Sequence, residues 1–117
     1  MDESYNVRIT AHAIEALREI SDYISSELAN PEAAVKLLKI LKTQINKLSF
    51  MPHRIKLTPE EPWHSEGIHR IQVKNFYIYF WIDERQKLVQ ITDVIYAGRD
   101  QEEQLKQMPF GNDETTI

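Results

Sequence analysis

The sequence predicts an α+β domain built from a short N-terminal strand, an antiparallel two-helix hairpin and a three-stranded antiparallel meander. Three observations carry this. Strand-like alternation of period two recurs at residues 5–9, 68–74, 76–83 and 88–96, and helical spacing fills the interval from 10 to 48. The two helical stretches are separated by little more than an Asn30-Pro31 step, too short a join for anything but a hairpin. With 117 residues and 42% hydrophobic content, the chain has material for one core. We expect a single domain over residues 1–106 and a tail from 107 to 117 with no core pattern.

Taken in order, Tyr5, Val7 and Ile9 alternate with Asn6 and Arg8, the pattern of a half-buried strand. Thr10 follows as a cap for the unpaired N–H groups of a first helical turn, and Ile14, Leu17, Ile20, Ile24 and Leu28 fall on one apolar stripe. The helix is expected to end near Ala29. Asn30 then caps a second helix, Pro31 occupies the first helical position, where a missing N–H costs nothing, and Glu32 faces the positive end of the dipole. Its stripe is Ala34, Leu38, Leu41, Ile45 and Leu48, and Pro52 closes it.

Residues 52–67 are polar and proline-rich without a sustained period, so they read as a long loop, with Trp63 expected to pin it to the core. Beyond it, Ile71 and Val73 alternate with Arg70, Gln72 and Lys74, and Lys74-Asn75 reads as a tight turn. The next strand contains NFYIYFWIDE, which gathers five aromatic residues into ten positions. Period two sorts Phe76, Ile78, Phe80 and Ile82 onto one side and Tyr77, Tyr79 and Trp81 onto the other. The last strand, LVQITDVIY, sorts Val89, Ile91, Asp93 and Ile95 from Gln90, Thr92, Val94 and Tyr96. If the helices cover the purely apolar side, the free face of the sheet carries Arg70, Gln72, Lys74, Tyr77, Tyr79, Trp81, Gln90, Thr92 and Tyr96, with Arg99 past its edge. Such a cationic and aromatic surface suits phosphate, carboxylate, stacked bases or a protein partner, and it equally suits simple cross-strand stabilisation of the sheet.

Composition narrows the chemistry. Without cysteine there are no disulfides, thiolate metal sites or cysteine nucleophiles, which suits a reducing cytoplasm. The acidic start MDESYN and the lack of a long apolar run argue against a secretion signal or a membrane span, so we expect a cytoplasmic protein with no membrane partner. Three glycines leave no phosphate-binding loop, there is no nucleophilic Ser/His/Asp set, and His64 and His69 lack the helical spacing of paired metal ligands; we expect no cofactor and no metal. The net charge of −4 is unevenly spread: residues 1–32 hold seven acids against two bases, whereas residues 33–99 hold eleven bases against six acids. That asymmetry permits a basic working surface.

The order of elements, with ITAHAIEALREISDYI at the start, L…MP at 48–52, GIHRIQVKNFYIYFWID in the middle and VIYAGRD at the end, resembles the RelE/ParE superfamily of toxins from bacterial type II toxin–antitoxin systems. The resemblance spans about residues 5–105. It implies a RelE/ParE-like fold and a cognate antitoxin partner in a hetero-oligomeric complex. It leaves two targets: RelE-like members cut mRNA in the ribosomal A site, and ParE-like members poison DNA gyrase and cleave nothing.

Cleavage through the 2′-hydroxyl needs a proton acceptor, a proton donor and cations around the phosphoryl group. Carried over residue by residue, the two lysines of the RelE pattern fall at Arg70 and Gln72, and its next arginine falls near Tyr77; only Arg99, in AGRD, matches outright. The tyrosine expected shortly after has no counterpart, leaving Tyr96, His69 or His64 as substitutes. Arg70 and Arg99 are thus the catalytic candidates of a RelE-like reading, and Arg54, Lys56, His69, Lys74, Tyr77, Tyr79, Trp81 and Tyr96 are the target- or RNA-binding candidates of either reading. The departures favour a ParE-like toxin acting on gyrase, with the mRNA interferase as the alternative.

Overall fold

The computed structural model describes residues 4–109. Four strands form one sheet in the order β1-β4-β3-β2: β1 is Asn6–Ile9, β2 His69–Val73, β3 Phe76–Asp83 and β4 Leu88–Tyr96. β2, β3 and β4 make the expected antiparallel meander, and β1 adds to the far side of β4 in parallel. A parallel neighbour needs a long crossover, and the helical hairpin supplies it. Both sheet edges are blunted by short pairings, Ser4 with Phe50 beside β1 and Leu57 with His69 beside β2.

The hairpin begins where the caps place it. The Thr10 side chain accepts from the N–H of Ala13 at 3.1 Å and starts α1 (Ala11–Asp22). Asn30 accepts from the N–H of Ala33 at 3.1 Å and starts α2 (Pro31–Lys47). Between them, Tyr23–Glu27 winds as a π-helix, and Ala29 closes the connection at φ 50. The wider winding advances the chain by less rotation per residue, which carries Leu28 off the expected stripe; it is 56% exposed. Ile14 also leaves the core at 37% exposure, because Ala13 and Leu17 are the residues of α1 that meet the sheet.

The sheet has a core on each side. On the helix side, Leu17, Leu41, Ile45 and Leu48 pack against Ile78, Phe80, Val89 and Ile91, as the alternation of β3 predicts. The opposite side is not free. A third helix, α3 (Gln101–Leu105), folds back with the 52–67 loop, and Trp63, Ile68, Leu105 and Met108 seal Tyr79 and Ile95 beneath them. Tyr79 is 0% exposed, while Tyr77 and Trp81 are half-buried at the rim of this second core. Gln90 and Thr92, expected at the surface, are buried on β4. The expectation of an open aromatic face is therefore corrected: the rings fill a second core.

α3 has a local cause. Asp100 accepts from the N–H of Glu103 at 3.3 Å, and Leu105 and Met108 stand one helical turn apart, both buried. Met108, within the tail expected at 107–117, thus packs with the domain; residues 110–117 of that tail lie outside the described residues.

β4 also departs from simple alternation. Tyr79 lies opposite Asp93 and Phe80 opposite Ile91, so Thr92 is an extra residue, a β-bulge. One extra residue reverses the phase downstream. Val94 joins the helix-side core and Ile95 the second core, the reverse of the expected sides.

Candidate functional site

The candidate residues separate into three neighbourhoods. The first is the lid of the second core. The Arg70 guanidinium lies 4.1 Å above the Tyr77 ring and 3.5 Å from a Glu60 carboxylate oxygen, while the Tyr79 hydroxyl donates to Gln101 at 2.8 Å. Burial pushes the Tyr79 phenol up to about 12, with Arg70 opposing that shift. Arg70 is thus engaged by a carboxylate and an aromatic ring, and Trp81 borders the same layer.

The second neighbourhood is the loop end. The Nδ1–H of His69 donates to the Ile55 carbonyl at 2.8 Å, and its ring stacks on Phe80 with centroids 5.0 Å apart. Burial lowers its pKa, so it is a neutral pin between loop and sheet near pH 7. Arg54 and Lys56 are exposed beside it. His64 is tied to the Thr58 carbonyl at 2.9 Å. At the N-terminal end of the sheet, Glu84 gathers the Tyr5 hydroxyl at 2.7 Å, Lys87 at 3.2 Å and the His53 imidazole. These donors, His53 first, hold its carboxyl down at about 2.

The third neighbourhood contains Lys74, Tyr96 and Arg99, and it is open. They line a groove of about 1200 Å³ between the hairpin and the end of the sheet. That volume exceeds the roughly 300–1,000 Å³ of ordinary small-molecule pockets and suits a segment of polypeptide. Its helix wall is Ala16, Ile20, Ile24 and Leu28. Phe76 and Val94 lie across from them, with the Phe76 ring edge-on to Tyr96 at 5.8 Å. Tyr96 stays 50% exposed, and its ring lies close over Gly98, where a Cβ would stand 2.4 Å from it.

In the same groove the His12 Nε2 and Asp93 Oδ2 lie 3.1 Å apart. Asp93 is 4% exposed and also accepts from the N–H of Val94 at 2.8 Å. Burial raises its carboxyl to about 6, against the pull of His12. The pair spans 81 residues of chain, and no local spacing announces it. Arg70 and Arg99 therefore belong to different surroundings, one in the lid and one in the groove. Among the described residues, no group of three or more His, Cys, Asp or Glu is placed to hold a metal, and no helix is long and apolar enough to cross a membrane.

A family model described as the ParE toxin of the type II toxin–antitoxin system parDE matches residues 7–101. The chain belongs to the ParE toxin family. Solved structures of similar fold include the chromosomal ParDE system from P. aeruginosa, at 21% identity and a TM-score of 0.67, covering 81% of this chain and 98% of that one. A RelBE toxin–antitoxin complex from Mycobacterium tuberculosis matches at 21% identity and a TM-score of 0.58, covering 82% and 94%. A mutant of the E. coli toxin RelE in the free state matches at 12% identity and a TM-score of 0.55, covering 86% and 92%. No curated protein matches by sequence. The RelE/ParE-like fold expected from the sequence is the fold observed, with β1 joining the meander's sheet and α3 added.

Proposed function

We propose that this toxin is a ParE-like growth inhibitor of the bacterial cytoplasm, that its target is DNA gyrase, and that a cognate antitoxin neutralises it by laying an amphipathic helix in the groove beside the hairpin. The observation that carries the reading against RNA cleavage is the fate of Arg70. A phosphoryl-stabilising cation must be free to meet its substrate, and this one is held by Glu60 and the Tyr77 ring over a sealed aromatic core. The other cation kept from the RelE pattern, Arg99, stands in the groove rather than beside Arg70. Family membership supports the toxin role and the structural likeness to toxin–antitoxin complexes supports an antitoxin partner. The groove suits such a helix because its apolar floor would otherwise stay wet.

Induction of the protein in a bacterial host, with gyrase supercoiling and ribosome-bound mRNA followed together, tests this. We expect supercoiling to fail and the DNA-damage response to rise while mRNA stays whole. Cleavage of mRNA at the A site, abolished by Arg99→Ala, would instead establish the interferase. The adjacent reading frame is expected to encode a short DNA-binding protein with an acidic or amphipathic C-terminal segment.

A further inference from the structure

Resting on the reading of the groove as the seat of a partner helix, we propose that the groove selects a helix of split charge, with cationic side chains along one flank of its apolar stripe and carboxylates along the other. The two walls differ in sign. Glu15 and Glu19 line the groove from α1, while Lys74 from the β2–β3 turn and Arg99 from the turn after β4 line it from the sheet side. All four are exposed. Glu15 is paired with Arg18 at 2.5 Å, but both partners are solvated, and an exposed pair of this kind leaves the carboxylate available to a better partner. Between the walls lie the apolar side chains of Ile20, Phe76 and Val94, with the His12–Asp93 pair beside them.

An α-helix seated on that floor exposes its two flanks, about 100° to either side of the stripe, to one wall each. The wall from His12 to Tyr23 runs for twelve residues, along α1 and into the π-helical turn, so it faces about three turns of a partner. Cations toward Glu15 and Glu19 and carboxylates toward Lys74 and Arg99 are then attractive on both sides. A helix with one sign on both flanks meets a like-charged wall wherever it turns. Reversing the helix end for end exchanges its flanks, so the same arrangement also sets the direction in which a given partner lies.

Three synthetic helical peptides of about 15 residues test this. They share one Leu/Ala stripe and carry Lys on one flank with Glu on the other, Lys on both, or Glu on both. Fluorescence anisotropy would measure their binding to the full chain and to two double variants, Glu15→Lys/Glu19→Lys and Lys74→Glu/Arg99→Glu. For the unaltered chain the split peptide should bind about tenfold more tightly than either single-sign peptide, since like charges placed opposite one another suppress wrong partners. Glu15→Lys/Glu19→Lys should come to prefer the Glu peptide, and Lys74→Glu/Arg99→Glu the Lys peptide. Equal binding of all three peptides, unmoved by the variants, would overturn charge selection and leave the docking site standing. Binding of none would overturn both.

Discussion

The two faces of the sheet begin from the same alternating strand and end differently. On one, Ile78 and Phe80 meet a helical hairpin along part of their length and leave a groove at the sheet's end. On the other, Tyr79 is closed over by a five-residue helix, a loop and one tryptophan. Polar handles do not decide which face works. Tyr79, with a hydroxyl, is sealed, and the open groove is floored largely by hydrocarbon and by the aromatic pair Phe76 and Tyr96. An aromatic face is a surface only if no other segment of the chain has the apolar residues to cover it, and here Trp63, Ile68, Leu105 and Met108 together do.

The strongest way to break the comparison is to remove one ring from each face. Tyr79→Ala and Phe80→Ala should both cost about 3–5 kcal/mol in denaturant unfolding, the loss typical of a buried aromatic. A cost below about 1 kcal/mol for Tyr79→Ala alone would return that face to solvent. The raised Tyr79 phenol gives the same comparison a pH axis. A folded-state pKa above the unfolded value contributes stability that is fully present below about pH 10 and is lost as pH rises through about 12. Next in size is Leu105→Ala, expected to cost about 2–4 kcal/mol if α3 is part of the fold and almost nothing if it is an appendage.

Asp93 sharpens the contrast from the groove side. Its carboxyl is raised to about 6, above an unfolded value of about 3.9. Its contribution is therefore fully present below about pH 4 and is lost as pH rises through about 6. Asp93→Asn should stabilise the protein by on the order of 1 kcal/mol at pH 7.5, after allowing for the lost charge partner of His12, and by nothing at pH 4. Melting curves across that range read the difference, and a gain larger in acid would contradict the assignment. The smallest effect belongs to the bulge. Thr92 Oγ1 and Gln90 Oε1 are buried without a hydrogen-bond partner among the described residues. Thr92→Val keeps the shape and removes an unpaired hydroxyl, so it should stabilise by about 1 kcal/mol, whereas a loss would mean that the hydroxyl is satisfied.

What the sequence discloses follows the range of the forces involved. Caps act over three residues, and Thr10, Asn30 and Pro31 start both helices where local chemistry puts them. Alternation acts along one strand and sorts β3 correctly. Trp63 pins its loop as expected, at 8% exposure. The bulge is invisible because Leu88–Ile95 is buried on both faces, so no exposed residue marks where the phase turns. α3 was legible in the Asp100 to Glu103 spacing followed by Leu105 and Met108, but a helix that short has little periodicity to weigh against a polar surrounding. Of the candidate residues, Lys74, Tyr96 and Arg99 come together in the groove, and the others do not join them. The groove's remaining members, His12 and Asp93 above all, are brought together by the parallel crossover, which no local pattern encodes.

Hydroxyl-radical footprinting of the free protein tests most directly which face is open. Tyr96 and Phe76 should be labelled readily, and Tyr79 and Trp63 should stay unmodified until the protein unfolds. Labelling of Tyr79 at the rate of Tyr96 in the folded protein would contradict the sealed second core and restore the aromatic face as the working surface.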